Sequence, residues 1–263
     1  MKCYQAAIER AVTAKSTELQ GSGLFRLGVA YRTLFDLTND DGQDPEDFRN
    51  AAKAWSAALE LNPNQYIWRR RIQQYGPRQI KPYPFYDWVD EAIQEVAARG
   101  EVPIKLTVPL SKAEIAQPKR GFESDQGAVS PDPDARIKLD VENVVGFHAT
   151  VVPQKIKPSQ AVRVHLRFEP SGGHWNNEAD PLEVWVEQND SGSVSQQRLV
   201  HAGQQKPSSD EPRTLEFEFQ SDAALKPGTV PLKGYALYYV CTTEDGQCLY
   251  RRQNFVVQVV VGE

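Results

Sequence analysis

The apolar residues of this chain change their spacing once, from a helical period to a strand period. Up to about residue 100 they recur three and four positions apart, and from residue 137 they fall in short alternating runs separated by Gly, Pro, Asp and Ser. At 263 residues, the chain is long enough for two hydrophobic cores. We therefore predict an α+β multidomain fold: a helical domain over 1–100, a connecting strand and linker over 101–136, and a β-domain over 137–263.

The first domain is predicted to contain five helices. Residues 23–37 and 45–61 carry the clearest apolar stripes, and the second of these helices begins with Asp44 as an N-cap candidate and Pro45 in the first turn. Weaker patterns predict further helices over residues 4–18, 64–75 and 86–99, the last of which ends at Gly100.

The pair of helices over 23–37 and 45–61 resembles a tetratricopeptide repeat. Repeats of this family bury one helix against the next and bind peptides or partner proteins. The resemblance therefore implies a protein partner at the helical domain. The matching residues are Leu24, Leu27, Gly28 and Tyr31 in the first helix and Ala51, Trp55, Ala58 and Pro63 in and after the second.

An arginine-rich segment follows at residues 65–77. We favour a helix that packs Ile67, Ile72 and Tyr75 inward and leaves its arginines solvated. The alternative is a basic, aromatic binding patch. The net charge of −5 argues against a general nucleic-acid binder, because neutralising phosphates requires a basic surface.

The β-domain is predicted to be an immunoglobulin-like sandwich. Seven short apolar runs alternate with turn residues, as in two-sheet antiparallel folds. The predicted strands cover 137–141, 146–152, 161–168, 182–186, 214–219, 234–240 and 249–261.

Two cysteines, Cys241 and Cys248, lie seven residues apart between the last two predicted strands. Asp245-Gly246 between them is a strong hairpin-turn signal, because glycine accepts the positive φ that such turns need. We therefore expect the two thiols to face each other across the hairpin, where a disulfide can close and open. The third cysteine, Cys3, is far away in sequence.

The second half of the chain resembles the disulfide-bond corrector family, which includes the N-terminal domain of the thiol–disulfide interchange protein DsbD. The resemblance implies an immunoglobulin-like fold whose cysteine pair relays electrons between a thioredoxin-like protein and a second redox partner. It also implies that Cys248 is the attacking thiol, that Cys241 is its companion, and that the compartment is periplasmic or extracytoplasmic. Four segments carry it: Lys157 to Gln160, Gly173 to Asn177, Leu182 to Val186, and Cys241 to Tyr250.

The residues themselves leave the role of the cysteine pair open. It is a redox-active pair, a structural disulfide or two inert thiols, and in the last two cases the protein is a non-enzymatic interaction scaffold. Glu244 and Asp245 would raise the pKa of a nearby thiol by repelling the thiolate, and Arg251 and Arg252 would offset them.

No other chemistry is predicted. The chain shows no cofactor-binding fingerprint, and its four histidines, His148, His165, His174 and His201, lack the spacing of metal ligands, so we expect neither a cofactor nor a metal. We expect His174 to pack rather than to react. No apolar run is long enough to span a membrane. The first residues lack the apolar core of a signal peptide, which favours the cytoplasm if Met1 is the true start.

Overall fold

The structure is a computed structural model that describes residues 1–38, 44–77, 83–84, 88–103, 115–116, 128–201, 206–242 and 247–263. These residues form two compact units. One unit contains the helices and also residues 152–154. The other contains the described residues from 128 to 151 and from 155 to 263, which include the strands from residue 145 onward. The α+β fold class is therefore confirmed. Most of the predicted connecting strand and linker over 101–136 lies outside the described residues.

The helical unit contains the five predicted helices. They are α1 (Lys2–Thr13), α2 (Thr17–Leu37), α3 (Pro45–Leu61), α4 (Tyr66–Tyr75) and α5 (Trp88–Ala98). The Asp44 side chain accepts a hydrogen bond from the N–H of Glu46, so the predicted cap of α3 is present. Helix α1 ends earlier than predicted because Lys15 has a φ of 54° and Ser16 caps a new helix by accepting from the N–H of Leu19.

Helices α2 and α3 pack closely because small residues face large ones. A Cβ on Gly28 would lie 2.5 Å from the Trp55 indole, so no larger residue fits there without displacing the ring. Trp55 is 1% exposed, and its ring stacks on Tyr75 of α4. The apolar stripes thus form one cluster, which includes Phe48, Ala51, Ala52, Trp55 and Ile72.

Helix α4 packs with a different face from the predicted one. Ile72 is buried as expected, but Ile67 is 63% exposed, while Trp68 and Arg69 are buried. The Arg69 guanidinium lies 3.5 Å from the Glu95 carboxylate of α5, so this arginine is paired rather than solvated. The helix is rotated relative to the prediction because the large Trp68 ring fits beside the backbone of Gly21, where no side chain occupies the space.

The helical unit also includes a short antiparallel pair, β1 (Tyr83–Pro84) with β2 (Ile115–Ala116). The remaining strands belong to the β-unit. They are β3 (Val145–Val152), β4 (Lys155–Ile156), β5 (Ala161–Pro170), β6 (Gly173–Asn176), β7 (Glu183–Val186), β8 (Gly192–Val194), β9 (Arg198–Val200), β10 (Ser208–Ser209), β11 (Arg213–Ser221), β12 (Gly228–Thr242) and β13 (Cys248–Val261).

The β-unit consists of two sheets that share one hydrophobic core. The larger sheet has the order β10-β6-β12-β13-β4, with β7 and β9 joined to it through β12, and the smaller has the order β3-β5-β11-β8. Six of the seven predicted strands are present. The predicted strand at 137–141 is wrong: it makes one isolated bridge, Leu139 to Arg252. Both sheets contribute to the core, which includes Val164, Leu166, Phe168 and Phe219 from one and Trp175, Val184, Tyr238 and Phe255 from the other.

Strands β12 and β13 form a long hairpin whose two faces have different surroundings. Side chains alternate across a strand, so Ala236, Tyr238 and Val240 face the shared core. Tyr235, Leu237 and Cys241 lie on the opposite face of the larger sheet, which we call the outer face. Their directly paired residues on β13, including Arg252 and Cys248, share that face.

No helix in the described part of the chain is both long enough and apolar enough to cross a membrane.

Candidate functional site

Cys241 and Cys248 are joined by a disulfide at the open end of the β12–β13 hairpin. They are directly paired in the strand register, and their Cα atoms are 3.8 Å apart. The expectation that the two cysteines face each other is confirmed. The turn signal at Asp245-Gly246, and Glu244 beside it, lie outside the described residues.

The backbone places the disulfide at one of the positions where the paired strands approach closely. The N–H of Thr242 donates to the carbonyl of Gln247 at 2.9 Å, so that pair is hydrogen-bonded. Hydrogen-bonded and non-hydrogen-bonded pairs alternate along an antiparallel ladder, and the non-hydrogen-bonded pairs have the shorter Cα separation. Cys241 and Cys248 therefore occupy a non-hydrogen-bonded pair, and the backbone groups of Cys241 point away from β13, toward β6.

The two cysteines differ in exposure. Cys241 is 4% exposed, whereas Cys248 is exposed to solvent. The difference follows from the sheet order, because Cys241 lies between β6 and β13, whereas Cys248 is the first residue of β13. A thiolate arriving from solution reaches Cys248 first, so opening of the bond by such an attack makes Cys241 the leaving sulfur.

His174 lies beside Cys241 on the side opposite Cys248. Strand β6 pairs with β12 so that His174 is directly opposite Cys241 and Trp175 opposite Val240. Trp175 and Val240 face the core, so His174 and Cys241 share the outer face, where His174 is half-buried. Directly opposite residues have Cβ atoms about 5 Å apart. The sequence predicted only a packing role for His174, whereas the structure places it next to the disulfide.

The close pairing of β6 with β12 depends on Gly173. A Cβ at this position would lie 2.3 Å from the carbonyl oxygen of Cys241. Any other residue at 173 would push β6 away from the disulfide. The glycine therefore determines how near His174 lies to Cys241.

Two tyrosines follow the disulfide along the outer face. Tyr239 and Tyr250 are directly paired, and their rings stack with centroids 4.3 Å apart and an interplanar angle of 20°. Burial, together with Tyr239 and the nearby carboxylates of Glu183, Asp180 and Asp132, raises the pKa of Tyr250 to about 12. Both rings are partly exposed, so they form a surface next to Cys248. We call residues 239–242 and 247–250, together with His174, the hairpin tip.

Neither Arg251 nor Arg252 lies next to the disulfide on the outer face, where it could offset a negative charge at the tip. Arg252 is four residue pairs away along the hairpin and binds the Asp132 carboxylate at 2.8 Å. Arg251 pairs with Tyr238, so it lies on the opposite face of β13 from Cys248. The expected compensation by these two residues is therefore weaker than the sequence suggested.

Farther along the outer face, a segment over residues 128–140 covers the sheet. Ala128 and Ile137 pack against Trp185, Tyr235 and Leu237. The Tyr235 hydroxyl lies 2.6 Å from Ser130 Oγ and accepts from the N–H of Asp132 at 3.1 Å. We call Tyr235, Leu237, Arg252 and Asn254, together with the segment over 128–140 that packs on them, the covered region.

Asp132 and Arg252 form the centre of the covered region. Arg252 donates to the carboxylate and the carbonyl of Asp132, and its guanidinium lies 3.8 Å from the centroid of the Tyr235 ring. Burial acts to raise the pKa of Asp132, but hydrogen bonds from Arg252 and from the N–H groups of Arg136 and Ile137 outweigh it, so the pKa lies below its usual value.

Within the described ranges, no cluster of three or more His, Cys, Asp or Glu side chains has the geometry to hold a metal ion. The sulfur pair and its neighbours are therefore the chemistry that the described residues offer at the tip.

Comparisons with known proteins identify no family for this chain. No protein-family model matches the chain, and no curated protein matches it. Among solved structures, AvmM, which catalyzes macrocyclization in alchivemycin A biosynthesis, matches 46% of this chain and 90% of its own at 11% identity and a TM-score of 0.28. The bacterial hydrophobin BslA matches 45% of this chain and 95% of its own at 10% identity and a TM-score of 0.23.

A third structure, the sporulation control protein Spo0M from Bacillus subtilis, matches 46% of this chain at 8% identity and a TM-score of 0.24. This chain covers 50% of the length of that protein. TM-scores in this range carry no argument about fold or function.

Proposed function

We propose that this protein carries out thiol–disulfide exchange through Cys241 and Cys248 and passes electrons between redox partner proteins. The observation that carries the proposal is the unequal exposure of the two cysteines, with Cys248 open to solvent and Cys241 buried. An exchange protein needs one accessible sulfur and one protected sulfur, because this arrangement limits which partners complete the reaction.

The reaction balances without a cofactor. A thiolate of a dithiol partner attacks the Cys248 sulfur, the bond between Cys241 and Cys248 breaks, and Cys241 leaves as a thiolate that takes up a proton. The second thiolate of the partner attacks the first partner sulfur and releases the thiolate of Cys248. The partner loses two electrons and two protons, and this protein becomes a dithiol. A disulfide-bearing protein then accepts the electrons by the reverse steps.

The proposal extends to the fold of the β-unit, which we assign to an immunoglobulin-like sandwich of the disulfide-corrector type. Two sheets around one core support it. Three of the four segments that carry the resemblance also lie close together: β6 and β7 both pair with β12, next to the hairpin that holds the cysteines. By the same resemblance, the protein works in an extracytoplasmic, oxidising compartment with a thioredoxin-like partner.

We further propose that the helical unit is tetratricopeptide-like and docks a partner protein. The packing of Gly28 against Trp55, with Ala51 and Ala58 buried, supports a repeat-like pair. Helix α2 leaves Leu34 and Leu37 41% and 78% exposed, which gives this unit apolar surface for a contact.

The proposal is tested by the reduction potential of the cysteine pair. Cys3 is an exposed free thiol, so the full-length chain is used with Cys3→Ser to leave the pair as the one source of thiols. The protein is equilibrated in glutathione or dithiothreitol buffers, and free thiols are counted. A midpoint between about −120 and −270 mV, the range of exchange proteins, is expected.

A non-enzymatic scaffold with a structural disulfide is the competing function. The burial of Cys241 favours it, because a protected sulfur resists reduction. A midpoint below about −300 mV is typical of structural disulfides and would exclude exchange. If the midpoint supports exchange, Cys241→Ser leaves Cys248 as a lone nucleophile, and it should form a stable mixed disulfide with the natural partner.

A further inference from the structure

His174 is the residue outside the cysteine pair that the structure places best for a chemical role. We propose that His174 stabilises the thiolate that Cys241 becomes when the disulfide opens, and thereby favours Cys248 as the sulfur that partners attack. The inference rests on the proposed exchange function and adds a positioning residue to it. It follows from the strand register, in which Cys241 lies between His174 and Cys248.

The leaving sulfur needs such a neighbour because it is buried. Burial disfavours a thiolate, since the charge loses its contact with water. A partner that attacks Cys248 must expel this unfavourable group, and the rate depends on how well the leaving thiolate is stabilised. A histidine directly opposite on the neighbouring strand supplies either a positive charge or an N–H hydrogen bond to the leaving thiolate.

Of the residues that the structure describes, the other groups around Cys241 do not supply this charge. On the outer face, the described titratable neighbours are Tyr239 on its own strand and Cys248 and Tyr250 on β13, and each of these is neutral or negative. Glu183 and Asp180 act on Tyr250, and the charge of Arg198 is paired with Glu183 at 2.6 Å. Among described side chains that are directly paired with Cys241 or next to it on this face, His174 alone carries a positive charge when protonated.

Two features keep His174 in place. Gly173 allows β6 to approach the Cys241 carbonyl, as the 2.3 Å clash of a Cβ there demonstrates. On the other side, Trp175 is fully buried, donates its indole N–H to the carbonyl of Glu211 at 2.9 Å, and anchors β6 in the core. The backbone position of His174 opposite Cys241 is therefore determined by its neighbours in the strand.

The test uses the full-length chain with Cys3→Ser and Cys248→Ala, in which Cys241 is the remaining thiol. The pKa of this thiol is measured from the ultraviolet absorbance of the thiolate. We expect His174→Gln to raise it by about one unit, because the thiolate loses a cation. His174→Phe keeps a ring of similar size and should raise it at least as much, whereas a packing role would leave the pKa unchanged.

A second measurement uses the intact disulfide, with Cys3→Ser as the parent. Stopped-flow reduction by glutathione should be about threefold slower in His174→Gln, because a leaving thiol of higher pKa departs more slowly. His148→Gln makes the same change on β3 of the other sheet and should keep the parental rate.

The outcomes separate this inference from the proposed function. A Cys241 pKa and a reduction rate that do not change in His174→Gln would overturn the role of His174, even if the midpoint lies in the exchange range. A midpoint below about −300 mV together with a raised pKa in His174→Gln would end the exchange function but leave His174 as the group that stabilises the Cys241 thiolate.

Discussion

The covered region and the hairpin tip lie on the same face of the same two strands, yet they are held together in different ways. In the covered region, Arg252, Asp132 and Tyr235 are at most 8% exposed, and their polar groups bind one another. At the tip, Cys248 is exposed, the strands are linked covalently, and His174 and two tyrosines are only partly buried.

The difference shows how one hairpin combines a buried, ion-paired part with an exposed part, which is reactive under the exchange function that we propose. Substituting one residue of a buried, paired network strongly lowers the free energy of unfolding, because the charge of its partner is left uncompensated. A reactive bond must break and re-form without unfolding the protein. We infer that the covered region fixes the hairpin so that the tip keeps its geometry when the disulfide is open. The predictions below compare the two regions, beginning with the largest effect.

Loss of the central ion pair should have the largest effect. In Asp132→Ala, Arg252 stays buried without its partner, and the N–H groups of Arg136 and Ile137 lose their acceptor. We expect the free energy of unfolding to fall by about 3 kcal/mol. Urea denaturation measures it. A loss as small as that of an exposed pair would remove the contrast between the two regions.

Asp134 provides the matched control, two residues along the chain. Its carboxylate pairs with Arg136 at 2.8 Å, but the two side chains are 62% and 82% exposed. Exposed pairs contribute little because water and salt screen them. Asp134→Ala should therefore change the free energy of unfolding by less than about 0.5 kcal/mol in the same urea experiment.

The pH dependence of the Asp132→Ala defect is a separate prediction. The pKa of Asp132 is lower in the folded than in the unfolded state, so its contribution is present above its unfolded pKa of about 4 and is lost as the pH falls through its folded pKa. The difference in stability between the parent and Asp132→Ala should be constant near neutral pH and should shrink below about pH 4. A difference that stays constant down to pH 2 would show that the charge of Asp132 does not contribute.

Removal of the disulfide should have a smaller effect. The bond closes a short loop, with a sequence separation of seven, and chain entropy then gives about 2.5 kcal/mol. Cys241→Ala with Cys248→Ala, made with Cys3→Ser, should remain folded and lose about this amount in thermal or urea unfolding. If the double variant instead fails to fold, the disulfide is structural and the tip resembles the covered region.

Gly173 tests the tip without changing either sulfur. In Gly173→Ala, the new Cβ meets the carbonyl oxygen of Cys241, so β6 must shift, and we expect a loss of about 2 kcal/mol. Gly172 is the control, because a Cβ there has no neighbour nearer than 4.0 Å, and Gly172→Ala should be close to neutral. Equal losses in the two variants would mean that the approach of β6 to Cys241 does not determine the geometry of the tip.

The sequence predicted local features well and long-range contacts poorly. The helices followed from apolar spacing, and the Asp44 cap and the Gly100 helix end were both placed from residue type. The facing cysteines followed from a turn signal between two strands. These features depend on residues within one or two turns of chain, where pattern and propensity act directly.

The position of His174 and the covered region were missed because both depend on distant pairing. His174 meets Cys241 only because β6 pairs with β12, and no local pattern specifies that partner. The Asp132–Arg252 pair joins residues 120 positions apart, and the segment over 128–140 is polar and proline-containing, which resembles a linker. A buried carboxylate with a distant arginine has no signature in one sequence.

The Tyr239–Tyr250 stack should contribute the smallest effect, and it joins the two regions. Tyr250→Ala removes a stacked ring and should cost about 1 kcal/mol of the free energy of unfolding, whereas Tyr250→Phe keeps the ring and should be nearly neutral at pH 7.

At high pH the parent should become less stable than Tyr250→Phe. The folded pKa of Tyr250, about 12, is above the usual value near 10, so its contribution is complete below pH 10 and is lost as the pH rises toward 12. The parent should therefore lose more stability than Tyr250→Phe over this interval in urea unfolding. If both lose the same amount, the Tyr250 hydroxyl is well hydrated and its ring does not share the burial of the covered region.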